Sequence, residues 1–311
     1  MLRSLYSGVS GMRGNQTKMD VIGNNIANVN TTAFKSGRVR FKDMLSQTIS
    51  NAQGPNDGDG TEPGGRGGVN PKQVGLGSTV AAIDTMMEGG ALQPTGRDLD
   101  FAIENEGFFV VSEDTDGNIK RYTRDGAFFT DFNGNLVNSD GLRIMGYGVD
   151  DPEEPSVDVG DIEDDGEDVF ADDSIDLKAL VIPNMITGEG GDDEELQSFS
   201  IDGTGLVKAV YSDGKPYILG RVALAKFENP EGLEKMGGNL YTDSSNSGTP
   251  QSGKAAQNGF GTIRQGALEM SNVDLANEFT DMITTSRAFQ ANSRTITTSD
   301  EMLQELINLK R

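Results

Sequence analysis

The chain has 311 residues, of which 35% are hydrophobic and 41 are glycine, and a formal charge of -23 at pH 7. That length suits two or three domains, and the charge excludes nucleic acid and anionic membrane surfaces as partners. With no Cys and no His, disulfides, thiolate sites, imidazole ligands and Ser-His-Asp catalysis are ruled out.

Carboxylate, lysine or serine–lysine chemistry stays formally open, but no constellation of such groups forms a site. No enzymatic activity, metal or cofactor is expected. No run approaches 18 apolar residues, so no membrane span is predicted. The start, Met1 to Gly8, lacks the basic region and apolar core of a secretory signal. Export without a cleaved signal peptide is the expectation.

From the N-terminus, Leu2, Leu5, Val9, Met12, Gln16, Met19 and Ile26 form a 3–4 ladder that predicts a helix from Leu2 to about Ala27. Gly8, Gly11, Gly14 and Gly23 interrupt it, each costing about 1 kcal/mol relative to Ala. Such a helix is weak alone and suited to close packing. The Asn- and Thr-rich stretch Gly23 to Thr31 ends it, because these side chains bond the local backbone. Phe41-Lys42-Asp43-Met44-Leu45 follows as a short apolar–basic element. Ser50 to Gly68 is rich in Gly, Asp and Pro and reads as a flexible linker.

From Val69 to Val149 the pattern is antiparallel β. Asp116-Gly117, Asp125-Gly126, Asn133-Gly134 and Asp140-Gly141 punctuate short apolar runs, the strongest local hairpin signal. Phe108 to Val111 is expected to be a buried strand. Residues 150–195 hold nineteen acidic residues against one basic, Lys178. Leu177 to Pro183 within them reads as a strand, which favours a small β domain over an unordered insertion. Strands resume at Phe199–Asp202, Leu206–Tyr211 and Arg221–Phe227, with turns at Gly203–Gly205 and Asp213-Gly214. Gly248 to Ala255 nearly matches a phosphate-binding loop but has Ala where Ser or Thr is needed, a chance match. Asp161 to Gly166, with Asp172 at the twelfth position, imitates a calcium loop without flanking helices and reads as a solvated acidic face.

A second ladder, Leu275, Phe279, Met282, Ser286, Phe289, Ser293, Ile296, Leu303 and Ile307, predicts a C-terminal helix starting near Ser271-Asn272. Narrow seams of this kind mark coiled-coil helices that need a partner, and the nearest candidate is the other end of the chain. The fold expected is α+β and nested. Residues 1–30 and 272–311 form a terminal helical domain, and 31–70 a connecting segment. Residues 71–147 and 199–271 form a β-rich middle domain, and 148–198 a small acidic outer domain.

Three motifs then stand in order along the chain. Gly23 to Thr31 followed by Phe34-Lys35 resembles the N-terminal signature of bacterial flagellar rod and hook proteins. Leu268 to Leu275 resembles their C-terminal signature, and Thr95 to Ile103 running into Gly107 to Val111 resembles their shared β motif. Within that family, Phe289 to Ile296, Asp300 to Leu309 and Leu224 to Leu233 are most similar to hook subunits.

The resemblance implies a structural polymer: a curved tube acting as a universal joint between rod and filament. A distal-rod subunit is the alternative, and a carboxylate-rich cation- or carbohydrate-binding module the reading from another class. It further implies that Leu2, Leu5, Val9, Met12, Met19, Ile26, Leu275, Phe279, Met282, Phe289, Ile296, Leu303 and Ile307 lie in subunit interfaces of the tube wall. Phe41 and Leu45 match the family's loose export-gate element. Implied partners are other copies of the chain, the rod, hook cap and hook–filament junction proteins, and the flagellar type III export apparatus. The implied location is the extracellular flagellum.

Overall fold

The computed structural model describes residues 2–54, 67–115, 117–148, 177–187 and 193–309. The chain divides into two units, Met1–Ala27 with Gly37–Met86 and Asp274–Arg311, and Asn28–Ser36 with Met87–Val273. Among the described residues no helix is long and apolar enough to cross a membrane.

The first unit holds α1 (Leu2–Ala27), β1 (Gly37–Asp43), β2 (Ser46–Ser50), β3 (Lys72–Gly75) and β4 (Ser78–Thr85), and closes with α2 (Leu275–Leu309). β1 pairs antiparallel with β4, and β2 with β3. The segment 31–70, expected only to connect, thus contributes two strands: the alternation Val39, Phe41 in β1 was masked by intervening Arg and Lys. Residues 71–86 group with the helices and not with the β-rich middle. α2 begins at Leu275, later than Ser271-Asn272. Asp274 is its cap, its carboxylate accepting from the Ala276 amide at 2.9 Å.

The second unit holds β5 (Leu92–Pro94), β6 (Phe101–Glu104), β7 (Phe108–Ser112), β8 (Lys120–Thr123), β9 (Phe129–Thr130), β10 (Leu136–Val137), β11 (Arg143–Gly148), β12 (Lys178–Ala179) and β13 (Met185–Thr187). It continues with β14 (Asp193–Ile201), β15 (Leu206–Tyr211), β16 (Pro216–Lys226), β17 (Glu234–Gly237), β18 (Leu240–Thr242), β19 (Gln251–Lys254), β20 (Thr262–Gln265) and β21 (Ala267–Glu269). One large antiparallel sheet runs β13-β14-β15-β16-β11-β7-β8-β18-β17, with β9, β10, β12 and β19 attached beside it.

β7 is buried throughout. Phe109 and Val111 enter one core with Phe101, Phe128, Leu136 and Ile144, while Phe108 and Val110 enter another with Tyr122, Met145 and Tyr147. Coverage on both faces also explains why β16 is buried along almost its whole length instead of alternating.

Two of the four Asx-Gly pairs are hairpin turns, at Gly134 and Gly141, and Gly117 lies in the longer connection between β7 and β8. β7 pairs with β8, β9 with β10 and β10 with β11, and Gly117, Gly134 and Gly141 have positive φ; Asp116 lies outside the described residues. Asp125-Gly126 is not one. There the Gly126 carbonyl accepts from the Phe101 amide at 3.0 Å, and a Cβ on Gly126 would stand 1.6 Å from the Phe101 carbonyl oxygen. This glycine permits close backbone approach, a need that spacing alone cannot separate from a turn. The near phosphate-loop lies in strand β19, paired with β16, and its Lys254 is buried. The acidic outer domain and the calcium-loop imitation fall mostly outside the described residues. The flanks that are described, β12, β13 and β14, belong to the large sheet.

Candidate assembly interface

In the first unit α1 and α2 run antiparallel. Ser4 Oγ meets Ser299 Oγ at 3.3 Å and Lys18 Nζ meets Asp281 at 3.1 Å. A Cβ on Gly8 would lie 3.1 Å from Ile296 Cγ1, and one on Gly11 2.7 Å from Asn292 Nδ2. Asn25 donates to Glu278 Oε1 at 3.0 Å and to the Gly37 carbonyl at 2.9 Å, while its oxygen accepts from the Gly37 amide at 3.0 Å. Burial raises the pKa of Glu278, an effect the Asn25 bond opposes.

The helices therefore meet as expected, but not through the predicted ladders. Ser4, Gly8, Gly11, Lys18 and Asn25 each sit one residue before Leu5, Val9, Met12, Met19 and Ile26. On α2, Glu278, Asp281, Thr285 and Asn292 sit one before Phe279, Met282, Ser286 and Ser293, with Ile296 alone shared. One residue is about 100° of helix, so the joining face is small and polar and the apolar ladders flank it. Three of the four glycines serve close approach: a Cβ on Gly14 would stand 2.8 Å from Phe41 Cε1.

The ladders are consequently only part-covered. Leu5, Val9, Met12, Met19, Ile26, Met282, Phe289, Ile296 and Leu303 are half-buried, and Leu275, Phe279 and Ile307 exposed; the Leu2 side chain lies outside the described residues. Thr285 and Ser299 are the buried residues of α2, and Ile22 and Asn25 of α1 are buried too. Ile22 was legible, three residues after Met19; Asn25, Thr285 and Ser299 carry no apolar signal. Of the export element, Phe41 packs on Gly14 while remaining 42% exposed, and Leu45, just past β1, is 84% exposed.

In the second unit the signature motifs converge on a buried ion cluster. Glu269 Oε1 accepts from Lys35 Nζ at 2.6 Å and from the Gly90 amide at 2.9 Å, and Oε2 meets Arg124 at 3.3 Å. Lys35 Nζ also donates to the Glu88 carbonyl at 2.8 Å, and Arg124 to that of Asn105 at 2.7 Å. Burial pushes the Lys35 ammonium below its ordinary pKa, although Glu269 opposes this. Ala33 donates to the Glu269 carbonyl and Ser36 to the Asn272 side chain, both at 2.8 Å. The N- and C-terminal motifs thus bind each other. Sequence reading missed this because an ion pair spanning 234 residues leaves no local periodicity.

The Thr95–Ile103 motif is structural as well. Thr95 donates to Asp100 at 2.6 Å, Gly96 has positive φ, and Arg97 donates to the Phe128 carbonyl at 2.8 Å.

Comparison with known proteins agrees with this geometry. Residues 5–35 match the flagella basal body rod protein model, 102–209 the flagellar hook protein FlgE/F/G D1 domain, and 264–309 the flagellar basal body rod FlgEFG protein C-terminal model. The chain is 45% identical over 313 residues to the flagellar basal-body rod protein FlgG of Bacillus subtilis strain 168, all of both chains being covered. It is 36% identical over 451 residues to the flagellar hook protein FlgE of Borreliella burgdorferi, again with full coverage. The crystal structure of Helicobacter pylori flagellar hook protein FlgE2 matches 65% of this chain and 47% of that chain at 15% identity, with a TM-score of 0.22 that adds nothing to the fold. The matched segments contain the interlocked Lys35 and Glu269 and both terminal helices, and the chain belongs to the flagellar rod and hook axial protein family, whose members are structural subunits and not enzymes.

Proposed function

We propose that the chain polymerises, through the ladders on α1 and α2, into the curved tube of the flagellar hook. The observation that carries polymerisation is the rotation of the joining face: α1 and α2 meet through Gly8, Gly11, Asn25 and Ser299, leaving apolar ladders part-covered in the single chain. Those ladders need further copies to be buried. The hook is favoured over the rod by the hook-like segments 224–233, 289–296 and 300–309. The distal rod is the second reading, favoured by the 45% identity to a rod-named relative that aligns over 313 positions against this chain's 311.

The polymer of the purified chain decides between them under the electron microscope. Curved tubes are expected, and uniformly straight tubes sink the hook reading in favour of the rod. Other flagellar axial proteins would flank the tube, and delivery would be through the type III export apparatus. Phe41 and Leu45 are the proposed export-gate contacts, a role supported by the exposure of Leu45 next to a strand end. Replacing both with Ala should lower secretion while leaving the folded β unit unchanged; undiminished secretion rejects that role.

A further inference from the structure

α2 is longer than its partner. Ser299 lies opposite Ser4, so the residues beyond about 301 extend past the start of α1. At 1.5 Å per residue the stretch 302–309 projects by roughly 12 Å. Met302, Leu306 and Leu309 share one helix face and are exposed; Glu305 is the charged residue within it, Asp300 and Glu301 stand just before it, and Lys310 and Arg311 follow in sequence.

Elsewhere in the same unit α1 and the start of β4 enclose a groove of about 500 Å³. Tyr6, Val9, Met44 and Val80 give it an apolar floor, and the charged groups lining it are two arginines, Arg3 and Arg13. In a chain of net charge -23, the lining of this groove holds cations and, among the described residues, no carboxylate.

We propose that the projecting end of α2 in one copy seats in this groove of the next. Met302 and Leu306 enter between Tyr6 and Met44, and Glu301 and Glu305 meet Arg3 and Arg13. Apolar fit supplies the attraction and the charges fix the register. The contact joins two different surfaces, so it propagates head to tail and builds an open helical array instead of closing into a dimer. The inference rests on the polymer reading above and names one contact within it.

The absence of Cys makes the test specific. Full-length chains carrying Met44→Cys are mixed with chains carrying Leu306→Cys, polymerised and oxidised. Disulfide-linked pairs should form in polymer and not in dilute monomer. Charge reversal gives the second arm. Arg3→Glu with Arg13→Glu should raise the critical concentration for assembly by roughly tenfold, and adding Glu301→Arg with Glu305→Arg should restore it. Helices merely melted by the first pair would not be rescued by the second. Cysteine-bearing chains that polymerise without cross-links, or reversal without effect or rescue, overturn this contact alone. A wild-type chain that never polymerises overturns the polymer reading and the contact with it.

Discussion

Glu269 is the residue whose loss the β-rich unit should tolerate least. Its side chain is 1% exposed, and it faces Lys35 at 0% and Arg124 at 5%. Glu269→Ala leaves two cations buried without a counter-charge and the Gly90 amide without its acceptor. Removing one partner of such a cluster costs about 3–5 kcal/mol. For a unit of this size, each kcal/mol lowers the midpoint by roughly 2–4 °C, so a fall of about 6–20 °C is expected. Lys35→Met is the milder change, because Arg124 and Gly90 stay on the carboxylate; about 1–3 kcal/mol is expected from the lost bonds. Combining it with Glu269→Ala should cost less than the sum, as for groups in one network. Urea unfolding of the full chain, followed by its β signal, reads all three. A loss below about 1 kcal/mol for Glu269→Ala would show that the cluster does not hold the motifs together.

Further outcomes follow from the glycines and the charges. Gly126→Ala should destabilise the β-rich unit by about 3 kcal/mol or more, because its Cβ meets the Phe101 carbonyl. Gly141→Ala, with open space around it but positive φ, should cost about 1–2 kcal/mol, and equal effects of the two would refute the distinction. Gly8→Leu should part α1 from α2 against Ile296 and abolish polymerisation with the β signal intact; assembly at the wild-type concentration contradicts it. Glu278 has its folded pKa raised above the ordinary 4.5. The folded state therefore holds the proton longer, and helix stability from this group is full below 4.5 and falls as pH rises through the folded value. Glu278→Gln should flatten that part of the pH profile, followed by helical circular dichroism on heating. An unchanged slope rejects the assignment.

Much of this was legible because local chemistry decided it. The helix limits at Leu2 and Ala27 came from apolar spacing and the Asn cluster, and the hairpins at Asn133-Gly134, Asp140-Gly141 and Asp213-Gly214 from turn residues that accept positive φ. What escaped was non-local. The face of α1 that meets α2 is chosen by close approach at Gly8 and Gly11, which periodicity reads only as weak points in a helix. Strands β1 and β2 depend on pairing partners about 22 to 48 residues away. The Lys35–Glu269–Arg124 cluster is assembled from three segments far apart in sequence, so its members look in sequence like surface charges.

The central claim, that this chain is a building block of the flagellar axis at the hook, is tested most directly by deleting its gene and imaging the basal bodies that remain. Structures that end at a completed rod, with neither hook nor filament, are the predicted result. Cells that still carry full hooks and filaments would contradict it.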